Sequence, residues 1–259
     1  MKIVLSPAKS LDFDNIPETE VASHPIFLNE SQLLVNKLKK YSSKKVGALM
    51  SISPKLSDLN YRRFQDWTLP FTNDNAKTAM YVFTGDAYRG MNPRGFSQED
   101  VLNAQGYLRI LSGLYGVLKP LDIMQPYRLE MGTKLEYSKN VNNLYKFWGD
   151  KVTDALNEEM VKDEVLINLA SNEYFKVIDP KKLNHRIVTC SFKDEKNGEY
   201  KMISFFAKFA RGLMTRFIIQ KKITEVDAQI KLENFRKKNI NYLYPSFETI
   251  AGSGENGAI

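Results

Sequence analysis

Short apolar segments that are typical of β-strands lie along this chain between longer segments that have the period of α-helices. The predicted strands are residues 2–5, 80–84, 165–169 and 186–192. Helical spacing of apolar side chains runs through residues 31–67, 99–108 and 203–217. Because strands that are separated by helices assemble into a helix-covered sheet, the sequence predicts an α/β protein with a mixed sheet.

The chain shows no internal repeat and no Gly/Ser/Pro-rich linker in its interior. We therefore expect a single α/β domain over residues 1–250, with an inserted helical module at about 31–67. Residues 251–259, AGSGENGAI, are small, polar and glycine-rich. This tail is expected to be disordered or, in part, an artificial extension.

The composition excludes several classes of protein. No apolar run approaches the ~18 residues of a membrane span, and Pro7 ends the first apolar stretch too early for a signal peptide. A cytoplasmic location is therefore expected. Cys190 has no partner for an internal disulfide, and the two histidines, His24 and His185, lie far apart. No zinc-ligand spacing, metal site or cofactor is predicted.

The positive charge is concentrated in two segments. Residues 37–63 hold eight Lys/Arg against one acid, a local charge of +7, and residues 176–222 hold twelve against four, a local charge of +8. The rest of the chain carries −8. Such clusters suit a polyanion, because several phosphates can be neutralised together. Two solvated lysine-rich faces are the alternative.

The sequence of residues 49–64 predicts two short helices on either side of the turn Ser51-Ile52-Ser53-Pro54. Ser53 suits the N-cap and Pro54 the first turn of the second helix, whose free N–H groups would then face a phosphate near Lys55. The arrangement resembles a helix-hairpin-helix motif in which serines and a proline replace the usual glycine-rich hairpin. An ordinary helical hairpin with a surface turn is the alternative.

The helix predicted at 203–217 has a broad apolar face and a separate polar stripe of Ser204, Lys208, Arg211 and Thr215. Two cations therefore project one turn apart, although a buried helix with one wet face would give the same pattern. Gly212 costs ~1 kcal/mol in a helix interior, which indicates that another backbone packs closely there.

The usual enzyme signatures are missing from the sequence. It contains no G-x-x-x-x-G-K-[ST], no G-x-G-x-x-G between a strand and a helix and no G-x-S-x-G elbow. For Arg109, Arg128 and Glu130, a structural ion-pair network is the simpler and commoner explanation.

Six sequence motifs occur in the same order as in one known family. They are SPAKSLD (6–12), SISPKLSDLNYRRF (51–64), GDAYRG (85–90), LRILSGLYGVLKPLDIMQPYRLEMGT (108–133), NLASNEYFKVI (168–178) and YKMISFFAKFARGLMTRFII (200–219). Together they resemble the YaaA family of peroxide-stress proteins over almost the whole chain. The C-terminal sequence NYLYPSFETIAGSGENGAI departs from that family, in which a final apolar strand ending in a basic residue is expected.

The resemblance implies a cytoplasmic bacterial protein that limits damage by hydrogen peroxide and is associated with lower free intracellular iron. It also implies a positively charged cleft and a helix-hairpin-helix element that bind double-stranded DNA, with no securely assigned reaction. Phosphate contacts are predicted beside the hairpin and along the cleft, and neither a membrane nor an obligate protein partner is expected. The predicted contacts are Ser53, Lys55, Arg62 and Arg63 at the hairpin, and Lys9, Arg128, Lys193, Lys201, Lys208 and Arg211 in the cleft.

An enzyme that acts on a nucleotide or a nucleic-acid base in the same cleft is the rival interpretation. Its candidate catalytic residues are Lys9, Asp12, Glu130 and Tyr174, in a pocket shared with Ser6, Asp86, Arg128 and Asn172. A lysine nucleophile would require burial to lower its pKa. A third interpretation, iron binding, has little support because the carboxylates show no ligand spacing.

Overall fold

A mixed β-sheet forms the centre of the protein, and the structure, a computed structural model, describes residues 1–17, 21–196, 199–201, 204–223 and 246–252. Its strands are β1 (Lys2–Leu5), β2 (Lys77–Thr78), β3 (Leu108–Ser112), β4 (Gly116–Leu118), β5 (Ile123–Met124), β6 (Val165–Leu169), β7 (Arg186–Lys196), β8 (Glu199–Lys201) and β9 (Ser246–Gly252). The strand order is β4-β3-β1-β6-β7-β8, and β9 also pairs with β7. A separate two-stranded sheet joins β2 to β5.

Helices connect these strands. They are α1 (Leu28–Leu38), α2 (Ser43–Met50), α3 (Pro54–Asp66), α4 (Ala79–Val82), α5 (Asp86–Met91), α6 (Gln98–Tyr107), α7 (Leu144–Trp148), α8 (Lys151–Glu159), α9 (Asn172–Phe175) and α10 (Ser204–Gln220), with a 3₁₀ turn at Pro93–Gly95. The predicted α/β class with a mixed sheet is confirmed.

The four central strands run parallel. β1 pairs with β3 and β6, and β6 pairs with β7, all in parallel, whereas β4, β8 and β9 pair antiparallel with their neighbours. Every residue of β3 and β6 is buried, as expected for strands covered on both faces. The carboxyl ends of β1, β3 and β6 therefore meet at one edge of the sheet.

The predicted helical module at 31–67 consists of α1, α2 and α3, which dock against the turn between β3 and β4. The Ser31 hydroxyl donates to the Leu114 carbonyl over 2.9 Å. At the other end, the Trp67 indole N–H donates to the Tyr115 hydroxyl over 3.1 Å. Both contacts are buried, so they fix the module to the carboxyl edge of β3.

Helices α5 and α10 touch through their backbones. A Cβ on Gly212 would lie 1.8 Å from the Ala87 carbonyl oxygen, and one on Gly90 would lie 2.2 Å from the Phe209 carbonyl oxygen. The close backbone approach predicted from Gly212 is thus confirmed, and Gly90 is its counterpart on α5.

Some predicted elements differ from the structure. Residues 80–84 do not form a strand, because Ala79–Val82 is one helical turn, and only Phe83 makes a β-bridge, to Leu11. This short run is buried on every side, so its apolar residues carry no period that separates a strand from a helix.

At the C-terminal end, Ala251 and Gly252 lie in β9 rather than in a tail, whereas 253–259 are outside the described residues. The predicted turn Asn197-Gly198 is also outside them, although β7 and β8 pair antiparallel on either side of it. No helix within the described ranges is long and apolar enough to cross a membrane.

Candidate functional site

A cleft of about 480 Å³ opens at the carboxyl edge of the parallel strands. Ligands of open α/β sheets usually bind at this edge, because the loops that follow the strands converge there. The walls come from the loop after β1, the start of α5, the α9 region after β6, and α10. The lining residues used below are Ser6, Lys9, Asp86, Tyr88, Arg89, Ser171, Glu173, Tyr174, Lys208 and Arg211.

Hydrogen bonds between the loops hold the floor of the cleft in place. The Ser171 main-chain N–H donates to the Ser6 hydroxyl over 2.8 Å, which ties the loop after β6 to the loop after β1. The Tyr88 hydroxyl donates to the Ser6 carbonyl over 3.2 Å and brings α5 to the same point. Three segments that are distant in sequence are thereby fixed around Ser6.

Positive charge predominates in the cleft. Lys9, Arg89, Lys208 and Arg211 line it, against the carboxylates of Asp86 and Glu173. Asp86 lies 3.4 Å from Arg89, and Glu173 accepts the Gly132 main-chain N–H over 3.0 Å. The cleft therefore offers cations to an anionic ligand together with two carboxylate acceptors.

Arg211 and Lys208 provide cations of two kinds. Arg211 is partly buried, and burial lowers the pKa of its guanidinium, which stays charged at neutral pH. Its Nε is shielded from solvent and has no hydrogen-bond partner among the described residues. Lys208, one turn earlier, is exposed. A buried donor without a partner costs about 1–3 kcal/mol, so an anion at Arg211 would gain a preformed contact.

Glu130 joins two of the predicted site residues. Its carboxylate lies 2.8 Å from the Lys9 ammonium and 3.3 Å from the Arg128 guanidinium. Arg128 is not among the residues lining the cleft, and its Nε has no partner in the part of the chain that the structure describes. Lys9 thus lines the cleft while it is paired with Glu130, which is not among the lining residues.

The two cleft tyrosines are unsuited to act as bases. Burial raises the pKa of Tyr174 and that of Tyr88 well above the ordinary tyrosine value. Both phenols therefore stay protonated at neutral pH and serve as hydrogen-bond donors. The Lys9 side chain is 60% exposed, so burial does not desolvate it as a lysine nucleophile requires.

Four of the polar residues predicted to converge do not line the cleft: Arg128 and Glu130, described above, and also Asp12 and Asn172. Asp12 accepts the main-chain N–H groups of Asp14 and Asn15 and lies 3.3 Å from Arg94. Hydrogen bonds from Asn15, first of all, lower the pKa of Asp12. Asn172 is exposed at the start of α9. The position of Asp12 thus supports a role in shaping the loop after β1.

The predicted helical turn has the expected local geometry. The Ser53 hydroxyl caps α3 by accepting the Leu56 N–H, and Pro54 occupies the first turn. Lys55 and Arg62 are exposed, whereas Arg63 is partly buried, donates to Asn60 over 3.3 Å and has a pKa lowered by burial. None of the hairpin residues is among those lining the cleft, so hairpin and cleft are separate groups of cations.

Part of the clustered positive charge stabilises the fold. Lys39 donates to the Trp67 carbonyl over 2.9 Å, and Lys37 donates to the Tyr137 carbonyl over 3.4 Å. Arg216 donates to three carbonyls at the end of α5 and in the turn that follows it. The sequence clusters therefore overstate the charge that is free to meet a ligand. The side chains of Lys193 and Lys201, both predicted to line the cleft, lie outside the described residues.

Two residues near the cleft were missed as site residues by the sequence analysis. Arg89 lines it, and the Arg89 guanidinium lies 5.6 Å from the ring centre of Phe205. Phe205 is 47% exposed at the start of α10, three residues before Lys208. The GDAYRG motif contains Arg89 but indicates no role for it, and Phe205 next to Phe206 resembles ordinary core sequence.

The single cysteine is unsuited to react with peroxide. Cys190 lies in β7 with 6% of its surface exposed, and burial raises the pKa of its thiol to about 12. The thiolate is the reactive form, so this cysteine is inert in the folded protein at neutral pH. Among the described residues, no three His, Cys, Asp or Glu side chains lie close enough together to hold a metal ion.

Comparisons with known proteins give consistent matches along the chain. A family model described as "Peroxide stress protein YaaA" matches residues 1–243. A UPF0246 protein of Colwellia psychrerythraea is 55% identical over 233 residues, covering 89% of this chain and 90% of the relative. A UPF0246 protein of Shewanella woodyi is 46% identical over 255 residues, covering 98% and 97%. One of Saccharophagus degradans is 52% identical over 229 residues, covering 88% and 89%.

Proposed function

The chain belongs to the family of the peroxide stress protein YaaA, and from that premise we propose that it protects DNA by binding the duplex backbone. In this proposal it acts in the cytoplasm and limits oxidative damage linked to free intracellular iron. The observation that carries the proposal is the cleft, where Lys9, Arg89, Lys208 and Arg211 outnumber two carboxylates.

Two groups of cations would contact phosphates. At the cleft, exposed Lys9 and Lys208 would face the backbone, together with the partly buried Arg211 and with Arg128, which is paired with Glu130. Lys193 and Lys201, whose side chains lie outside the described residues, stay predicted contacts. At the helical turn, the N-terminus of α3 offers the region of Ser53 and the side chains of Lys55, Arg62 and Arg63. Contacts of this kind position a protein on DNA without reading its sequence.

Phosphate binding also offers a physical link to iron. Cations on the protein release counterions from the DNA backbone, and ferrous ions held at phosphates are among those released. Hydrogen peroxide oxidises Fe²⁺ to Fe³⁺ and yields one hydroxide ion and one hydroxyl radical. Displacing iron from DNA moves the site of radical formation away from the bases and sugars.

The proposal is tested by removing one cleft charge. Lys208→Ala should weaken duplex binding several-fold at 50 mM salt, and the difference should shrink at 200 mM as screening increases. Lys162→Ala is the matched control, because Lys162 is exposed just before β6, at the opposite edge of the sheet. Fluorescence anisotropy with a labelled duplex measures both. Equal affinities for the two variants would contradict a role for the cleft.

Base or nucleotide chemistry in the same cleft is the second candidate. It is supported by the pairing of Lys9 with Glu130 beside the protonated phenol of Tyr174, an arrangement that brings an acid, a cation and a carboxylate together. A catalytic residue would be needed for peroxide resistance in cells even where its replacement leaves DNA affinity intact. Measuring both the DNA affinity and the peroxide resistance of one variant therefore distinguishes backbone binding from catalysis.

A further inference from the structure

The dimensions of the cleft do not fit a DNA duplex. A volume of about 480 Å³ corresponds to a cube with an edge of roughly 8 Å, less than the ~12 Å width of the major groove alone. Pockets of roughly 300–1,000 Å³ hold small organic ligands. Phosphates of a duplex can therefore reach the cations at the mouth, while the interior has room for a single nucleotide.

An exposed aromatic platform stands beside this cleft. Phe205 is 47% exposed, and the Arg89 guanidinium lies over its ring at 5.6 Å from the ring centre. Arg89 is itself 60% exposed, so both planar groups are accessible. Paired bases are stacked inside a duplex, whereas an unpaired base presents its flat face to such a platform.

The polar groups inside the cleft match the rest of a nucleotide. Arg211 has an Nε without a partner in the described ranges, and Lys208 lies one turn away, so together they suit a phosphate. The carboxylates of Asp86 and Glu173 can accept hydrogen bonds from the exocyclic amino group of a base. The Tyr174 phenol, kept protonated by burial, is an additional donor.

We propose that this cleft binds one unpaired nucleotide, with its phosphate at Lys208 and Arg211 and its base stacked at the Phe205–Arg89 platform. The inference rests on the proposed function, because the nucleotide that enters the cleft belongs to the DNA that the protein binds. Extruding a base from a duplex costs a few kcal/mol and costs least where the base has no partner. The protein therefore prefers DNA that contains an unpaired base over fully paired DNA.

Two labelled duplexes of one sequence test this inference, one fully paired and one with a single base opposite an abasic position. The wild-type protein should bind the second at least about tenfold more tightly, since one base–aromatic stack is worth ~1–3 kcal/mol. Phe205→Ala should remove most of that difference while changing the affinity for the paired duplex less than twofold. Leu102→Ala, at a residue 57% exposed on α6, is the control that should change neither.

A competition arm identifies the source of the nucleotide. Free deoxyadenosine monophosphate should displace the DNA with the unpaired base at a lower concentration than inorganic phosphate does, and Lys208→Gln should weaken that competition. The inference is overturned if the wild-type protein binds the two duplexes equally, or if Phe205→Ala weakens binding of both duplexes by the same factor. Either result is still consistent with binding of the DNA backbone. If neither duplex binds, the proposed function is wrong. Direct binding of the free nucleotide in that case would still assign the cleft to a nucleotide, and its absence would overturn both proposals.

Discussion

Gly212 of α10 lies so close to Ala87 of α5 that a Cβ at position 212 would stand 1.8 Å from the Ala87 carbonyl oxygen. The two helices therefore meet backbone to backbone. Because α5 carries Asp86, Tyr88 and Arg89 while α10 carries Lys208 and Arg211, this contact sets the distance between two walls of the cleft.

Gly212→Ala should destabilise the protein and disturb the cleft. The clash is with main-chain atoms, so one helix must move, and overpacking of this kind costs about 3 kcal/mol. We expect the Tm to fall by roughly 10 °C, measured by circular dichroism. Gly106→Ala is the control, because a Cβ there meets nothing within 4 Å in α6. It should raise the Tm by about 1–2 °C. Similar Tm values for the two variants would show that the α5–α10 contact is not tight.

Cys190 should be unreactive until the protein unfolds. With a thiol pKa of about 12, the thiolate fraction at pH 7 is on the order of 10⁻⁵. Labelling by a maleimide at pH 7, followed by mass spectrometry, should be slower by at least about a thousandfold in native protein than in urea. Cys190→Ala should also keep peroxide resistance in cells. Rapid labelling of native protein, or loss of resistance in the variant, would assign the cysteine a chemical role.

The buried pair of Arg109 and Glu159 should make stability depend on pH. Arg109 is 3% exposed, and its Nε donates to Glu159 over 2.7 Å. Burial alone would raise the pKa of Glu159, but the Arg109 guanidinium more than offsets it, so the net pKa is lowered from 4.5. A lowered folded-state pKa gives stability that is present above the unfolded value and is lost as the pH falls through the folded value.

Glu159→Gln should therefore reduce the free energy of unfolding by about 2 kcal/mol at pH 7, and the difference should shrink below pH 4.5. Urea unfolding at pH 7 and pH 3.5 measures it. Glu99→Gln removes a carboxylate that is 69% exposed and paired with Lys222. It should cost less than about 0.5 kcal/mol. A difference for Glu159→Gln that is independent of pH would rule out the ionised pair as its origin.

Glu130→Gln should distinguish DNA binding from catalysis. The change removes a negative charge that lies 2.8 Å from Lys9 and 3.3 Å from Arg128, which leaves both cations free for phosphate. We expect duplex affinity at 50 mM salt to stay equal or rise several-fold, with peroxide resistance retained. Loss of resistance together with unchanged DNA affinity would instead support Glu130 as a catalytic group. Anisotropy and survival of peroxide-treated cells give the two readouts.

Local sequence patterns predicted much of the fold. The short apolar runs of β1 and β6, the alternation in β7 and the helical periods of α3, α6 and α10 were sufficient, because each depends on neighbours within a few turns. Gly212 even indicated a close packing partner. The strand predicted at residues 80–84 was wrong, because a short apolar run that is buried on all sides has no period that distinguishes a strand from a helix.

The candidate site was harder to predict, because its geometry depends on contacts between distant segments. Lys9 and Tyr174 both line the cleft, but Asp12 turns to its own loop and to Arg94. Charge counting did not show that Lys39 is used to bind a main-chain carbonyl. Likewise, an aromatic residue at the start of a helix gave no sign that Phe205 would lie beside Arg89.

The central claim, backbone binding of DNA by cations of the cleft and the helical turn, is tested most directly by the salt dependence of duplex affinity. Six candidate contacts are Lys9, Arg89, Lys208 and Arg211 in the cleft with Lys55 and Arg62 at the turn. The logarithm of the binding constant falls with the logarithm of the salt concentration, with a slope of about 0.9 per phosphate contact. The affinity for a 20-base-pair duplex should therefore fall on the order of a thousandfold between 50 and 200 mM salt. An affinity that stays constant over that range, or no measurable binding at 50 mM salt, would contradict it.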